Sequence, residues 1–100
     1  MAEPEGTLRE RMRRTLARES LTALELSHRL SATEREIEAA IPHVERSVKA
    51  AGGRLKVTPP ECSACGYVFQ ERTRARKPSR CPQCRATRVR APRFSVAQRD

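Results

Sequence analysis

The sequence predicts an α+β fold in which three helices are followed by a small β-hairpin, with a metal-binding module inserted between the hairpin strands. Three observations predict it. Apolar residues recur at helical spacing through the first half, two short alternating runs flank residues 59–92, and two Cys-x2-Cys pairs lie between those runs. With 100 residues, 37% of them apolar and 3% aromatic, the chain has too little apolar surface for a large core. A metal is therefore expected to do part of the folding work.

The first helix is expected from Thr7 to about Ala17, where Leu8, Met12 and Leu16 form a narrow stripe and Arg9, Arg11, Arg13 and Arg14 spread over the rest. The second starts at Thr22, because Thr22-x-x-Glu25 is a capping box ahead of Leu26 and Leu30, with Leu21 as the staple residue before the cap. Thr33-x-x-Glu36 is another capping box and opens the third helix, whose apolar face is Ile37, Ile41, Val44 and Val48; Gly52 and Gly53 close it. Pro42 lacks the N–H that would bond to the carbonyl of Glu38. The stripe keeps its phase across Pro42, so a kink is favoured over a break.

Two capped helices joined by Ser31-Ala32 and preceded by a third make a helix-turn-helix, an arrangement that ordinary three-helix bundles share. A helical wheel turns Arg35, Ala39, Pro42, Arg46 and Lys49 outward, where the cations face phosphates or guanine edges if the third helix meets DNA. Glu34, Glu36 and Glu45 flank that face, and Glu45 with Lys49 has the spacing of a surface ion pair. Next, Arg54–Thr58 alternates as a strand and Pro59-Pro60 ends it, while Arg93–Val96 offers a second strand. If the two pair, the helices acquire a wing. This gives residues 1–58 as a winged helix-turn-helix, 59–92 as a zinc ribbon inserted at the wing, and 93–100 as the returning strand and tail.

Two Cys-x2-Cys turns separated by fifteen residues describe a closed tetrahedral sulfur site with ligands Cys62, Cys65, Cys81 and Cys84. Zinc is the expected ion, with iron in a rubredoxin-like role as the alternative. The basic ribbon, with only Tyr67 and Phe69 to form an apolar shell, argues against electron transfer. Gly66 allows the first turn its positive backbone angle; at the equivalent place after Cys84 stands Arg85.

The formal net charge of +9 is unevenly placed, since residues 1–50 hold nine basic and nine acidic residues, whereas 51–100 hold twelve and three. Arg72, Arg74, Arg76, Lys77 and Arg80 lie between the cysteine pairs, and Arg85, Arg88, Arg90 and Arg93 follow them. Such density points to a polyanion, and the scarcity of aromatics in this run weakens a single-stranded RNA reading. His28 and His43 stand alone and are read as surface residues. No nucleophile motif, phosphate-binding glycine loop or catalytic carboxylate pair is present, so no enzyme is expected. No run approaches the length of a membrane span and no signal peptide opens the chain, giving the expectation of a cytoplasmic protein.

The run Leu24–Leu30, the helix ending Val44-Glu45-Arg46-Ser47-Val48-Lys49, then Arg54-Leu55-x-Val57-x-Pro59-x-x-Cys62-x2-Cys65-Gly66-Tyr67-Val68-Phe69, Arg80-Cys81-Pro82-x-Cys84 and Pro92-Arg93-Phe94 resembles a known family. It is that of predicted prokaryotic transcriptional regulators combining a winged helix-turn-helix with a rubredoxin-like zinc ribbon. The resemblance covers about residues 8–97 and implies zinc on the four cysteines and a DNA-binding or regulatory role. Pro42 and the acidic start of the third helix, Glu34, Glu36 and Glu38, depart from the family pattern. The expected function is a zinc-stabilised, double-stranded-DNA-binding regulator, with Arg35, Arg46 and Lys49 and the ribbon arginines on the backbone. The alternatives are an adaptor docking a protein of the transcription machinery, or an RNA- or ribosome-associated basic protein.

Overall fold

The computed structural model describes residues 7–69 and 77–97. Its elements run α1 (Leu8–Leu16), α2 (Ala23–Leu30), α3 (Glu34–Ala50), β1 (Arg54–Thr58), β2 (Glu61–Cys62), β3 (Val89–Arg90) and β4 (Arg93–Ala97). The fold is α+β, three helices with small sheets and a zinc ribbon.

Each helix opens with the same device. Thr7, Thr22 and Thr33 each accept a bond from the backbone N–H three residues on, and Glu10, Glu25 and Glu36 each accept one from the threonine N–H in return. Two otherwise unpartnered amide groups are thereby satisfied at every start. The box at Thr7-x-x-Glu10 has the sequence signature of the other two. At the other end of α3, Gly52 has φ 88° and its N–H bonds to Lys49 O at 3.0 Å, while Gly53 N–H bonds to Val48 O at 2.9 Å. This pair of bonds is a Schellman motif. Gly53 is needed for a different reason: a Cβ there meets Ala97 O at 2.8 Å and Val48 Cγ1 at 3.1 Å. The exit of α3 thus lies directly against β4.

Helix α3 is continuous through Pro42, which is exposed, and Ile37, Ile41, Val44 and Val48 are all buried. They join Met12, Leu16, Leu26 and Leu30 from the other helices and Leu55, Phe94 and Val96 from the strands in one core. Strands β1 and β4 are antiparallel, with Leu55 opposite Val96 and Val57 opposite Phe94. On its other side β4 is bridged by Leu21, so the last strand lies between the residue ahead of the α2 cap and the strand after α3. Leu21, a staple residue by its place before the cap, is thus also a strand partner.

Short strands β2 and β3 pair Glu61 with Arg90 and Cys62 with Val89, forming a second two-stranded antiparallel sheet. Apart from Cys62 and Cys81, the ribbon buries Val89 and prolines 60, 78 and 92, and none of these belongs to the helical core. Among the described residues no helix is long and apolar enough to cross a membrane.

Candidate metal centre

Two turns of nearly identical construction carry the cysteines. In the first, Gly66 N–H bonds to Cys62 O at 2.9 Å and Cys62 N–H to Tyr67 O at 2.8 Å. The second repeats the pattern, with Arg85 N–H to Cys81 O at 2.8 Å and Cys81 N–H to Ala86 O at 2.9 Å. Both turns end in a left-handed residue, Gly66 at φ 84° and Arg85 at φ 64°. For glycine that conformation is free, whereas an L-residue bears a cost of roughly 1–2 kcal/mol. The repeated Cys-x2-Cys spacing puts Arg85 at the place of Gly66, and the shared hydrogen bonds hold it at the same kind of angle.

All four Sγ atoms lie within 4.8 Å of one another, with Cys62 to Cys84 at 3.6 Å and Cys65 to Cys81 at 3.7 Å. A tetrahedral ion with bonds of about 2.3 Å to sulfur places its ligands about 3.8 Å apart, so the cluster fits one zinc. A disulfide, with sulfurs about 2.0 Å apart, is a different geometry, and all four cysteines are free. One member of each turn, Cys62 and Cys81, is buried, and the other, Cys65 and Cys84, is exposed. The Gln83 N–H also points at Cys81 Sγ, at 3.3 Å.

The thiols compete for charge. Backbone N–H bonding from Cys65 and Ala64, helped by the neighbouring thiols, pulls Cys62 down to about 7 against the effect of burial. Although the Tyr67 amide favours its thiolate, Cys65 is pushed up to about 12 by local loss of hydration and by its closeness to Cys84, Cys81 and Cys62. Four thiolates at these distances repel strongly, and a divalent cation removes the conflict. The residues present are positioned to bind one metal ion, consistent with one structural zinc whose chemistry is to cross-link the two turns. With four protein sulfurs the ion has no open coordination position.

The remaining candidate residues fall in three places. Arg35, Arg46 and Lys49 are exposed on α3, where Arg46 Nη2 lies 2.9 Å from Nδ1 of the half-buried His43. Glu34, Glu36 and Glu45 are exposed on the same helix, and Glu45 and Lys49 form no ion pair among the described residues. Lys77 and Arg80 are exposed on the ribbon, as are Arg85, Arg88 and Arg90. Arg72, Arg74 and Arg76 lie outside the described residues. Arg93, grouped with the ribbon cations by sequence, serves the fold instead. Its Nη2 donates to Ser20 O at 2.7 Å and to Glu25 Oε1 at 3.2 Å, tying β4 to the start of α2.

On α1, Arg11 donates to Leu30 O at 3.2 Å and Arg13 to Ser47 Oγ at 3.3 Å, so these cations also hold helices together. A surface cleft of about 550 Å³ lies beside them, lined by Arg13, Arg14, Arg18, Val48, Ala51 and Gly53 among others. It is remote in sequence from the cysteines and gathers the C-terminal ends of α1 and α3, whose carbonyls the arginines offset.

Residues 7–56 match the model of the PF0610-like N-terminal domain, and residues 59–99 match that of the PF0610 rubredoxin-like zinc β-ribbon domain. The chain is also similar to a solved structure, the solution NMR structure of protein PF0610 from Pyrococcus furiosus. The two are 25% identical, the match covers 99% of this chain and 96% of that one, and the TM-score is 0.80. Among curated proteins none matches. With half of the chain matched by the N-terminal model and most of the rest by the ribbon model, the chain belongs to the PF0610-like family, with a rubredoxin-like zinc β-ribbon as its second part.

Proposed function

We propose that this protein is a non-enzymatic, zinc-stabilised binder of double-stranded DNA that regulates transcription, and that it grips the duplex through the ribbon more than through α3. The observation that carries the reading is the placement of charge. The helical half is neutral, several of its arginines are engaged within the fold, and the excess cations sit on a ribbon that has little core of its own. Metal binding is worth on the order of 10–16 kcal/mol for structural zinc, so the ion that closes the turns also stiffens the surface that presents Lys77, Arg80 and Arg88. The order helix, Leu21 bridge, helix, helix, and paired strands supports the winged helix-turn-helix reading of the first half.

Exposed Glu34, Glu36 and Glu45 repel phosphate, which supports docking away from the start of α3. The same acidic residues favour one second reading, an adaptor whose basic ribbon meets an acidic surface of the transcription machinery. Titration of the zinc-loaded chain with duplex DNA at several salt concentrations separates the two. The DNA reading predicts saturable binding whose log K falls linearly with log salt, and a Lys77→Glu, Arg80→Glu variant weakened more than Arg46→Glu. Absence of binding at low salt rejects it and leaves the adaptor.

A further inference from the structure

The two cysteine turns provide an internal comparison. They share their backbone hydrogen bonds and both end in the left-handed region, yet one ends in Gly66 and the other in Arg85. A Cβ built on Gly66 meets nothing within 4 Å, so the preference for glycine there is a matter of backbone angle and not of space. At the second turn the chain accepts an unfavourable angle and displays a long cation. The only other described non-glycine residue with positive φ is Ser31, which ends α2. Arg85 ends no helix.

Inside the fold the side chain brings no compensation. Arg85 is exposed, and among the described residues no hydrogen bond or ion pair holds its guanidinium. Arg93, Arg11 and Arg13, by contrast, all have partners within the protein. Strain kept at an exposed position without an internal contact suggests that the contact is external. Metal ligation fixes the Cα of Arg85 beside Cys84, so its guanidinium leaves a rigid base and needs little ordering to meet a fixed phosphate.

We infer that Arg85 is a phosphate-contacting residue of the duplex-binding surface, placed by the second cysteine turn. This rests on the DNA-binding reading above. The rival role is compensation of the dianionic zinc–thiolate centre, and it makes the opposite prediction for metal retention.

The test uses the full chain as wild type, Arg85→Gly and Arg85→Lys. Zinc content and Tm are measured first, then affinity for two duplexes of unrelated sequence at several salt concentrations. Glycine suits the backbone angle, so Arg85→Gly is expected to keep one zinc and a Tm equal to or above that of wild type. Its affinity for both duplexes is expected to fall by about fivefold at low salt, with the slope of log K against log salt reduced by about 0.9, and Arg85→Lys is expected to retain slope and affinity within about twofold. Wild-type affinity in the zinc-loaded glycine variant overturns the inference while leaving DNA binding intact. Loss of zinc from that variant overturns it in favour of the metal-compensating role. Failure of wild type to bind either duplex rejects the DNA reading itself, and the inference with it.

Discussion

Leu21 and Phe94, 73 residues apart in sequence, exchange both backbone hydrogen bonds: Leu21 N–H to Phe94 O at 3.0 Å and Phe94 N–H to Leu21 O at 2.8 Å. Both side chains are buried, Phe94 completely. The chain leaves the helical core at β1, builds the ribbon and then returns to finish the core. A chain ended before Glu61 therefore lacks Phe94 and Val96 as well as the metal site.

Phe94→Ala is expected to destabilise the zinc-loaded protein by about 3–5 kcal/mol, the range for removing a fully buried aromatic ring. Chemical denaturation followed by helix signal measures it. A loss under about 1 kcal/mol contradicts the placement of Phe94 in the helical core.

The two glycines after α3 should behave differently. Gly52→Asn, at a helix-ending left-handed position, is expected to cost less than about 1 kcal/mol. Gly53→Ala pushes a Cβ against the Ala97 carbonyl of β4 and is expected to cost about 1–3 kcal/mol. Denaturation midpoints in the reverse order contradict the packing of the α3 exit on β4.

Much of this architecture is legible in the sequence because its signals are local. Thr22-x-x-Glu25 and Thr33-x-x-Glu36 mark the helix starts, the spacing from Ile37 to Val48 marks the buried face of α3, and the cysteine spacing marks the metal site. The parts that escape sequence reading depend on partners far away or on backbone angles. Leu21 acquires its role only when β4 returns, Arg93 turns from a surface cation into a tie for α2, and the left-handed angle of Arg85 follows from closing the second turn. Gly53 looks like half of a helix stop, and only the nearness of Ala97 shows that it is a contact.

Pro42→Ala restores an N–H inside α3 and removes the ring from the turn that contains Glu38. A Tm rise of several degrees is expected, from about 2 kcal/mol of recovered helix stability. An unchanged or lower Tm means that the proline contributes more by stiffening the unfolded chain than it costs the helix.

Glu19 is held below its ordinary value of 4.5 by its hydrogen bonds and charge pairing with Arg29, one of them 3.1 Å from Nη2 to Oε1. Because the folded chain holds this proton less tightly than the unfolded chain, the stabilisation is full above the unfolded value and fades as pH falls through the lowered one. The pair is exposed, so its contribution is small and shrinks with salt. Glu19→Gln should lower Tm slightly at pH 6 and leave it unchanged in strong acid. A difference that grows on acidification contradicts the assignment.

If zinc builds the surface proposed to meet DNA, duplex affinity of the full chain before and after zinc removal, at one salt concentration, is the most direct measurement. The formal charge is +9 with neutral thiols, and zinc on four thiolates lowers it to about +7. Charge alone therefore predicts tighter binding by the stripped chain. A zinc-built surface predicts the opposite, a loss of at least about tenfold as the ribbon melts, reversed when zinc is restored. Equal or tighter binding without zinc contradicts it.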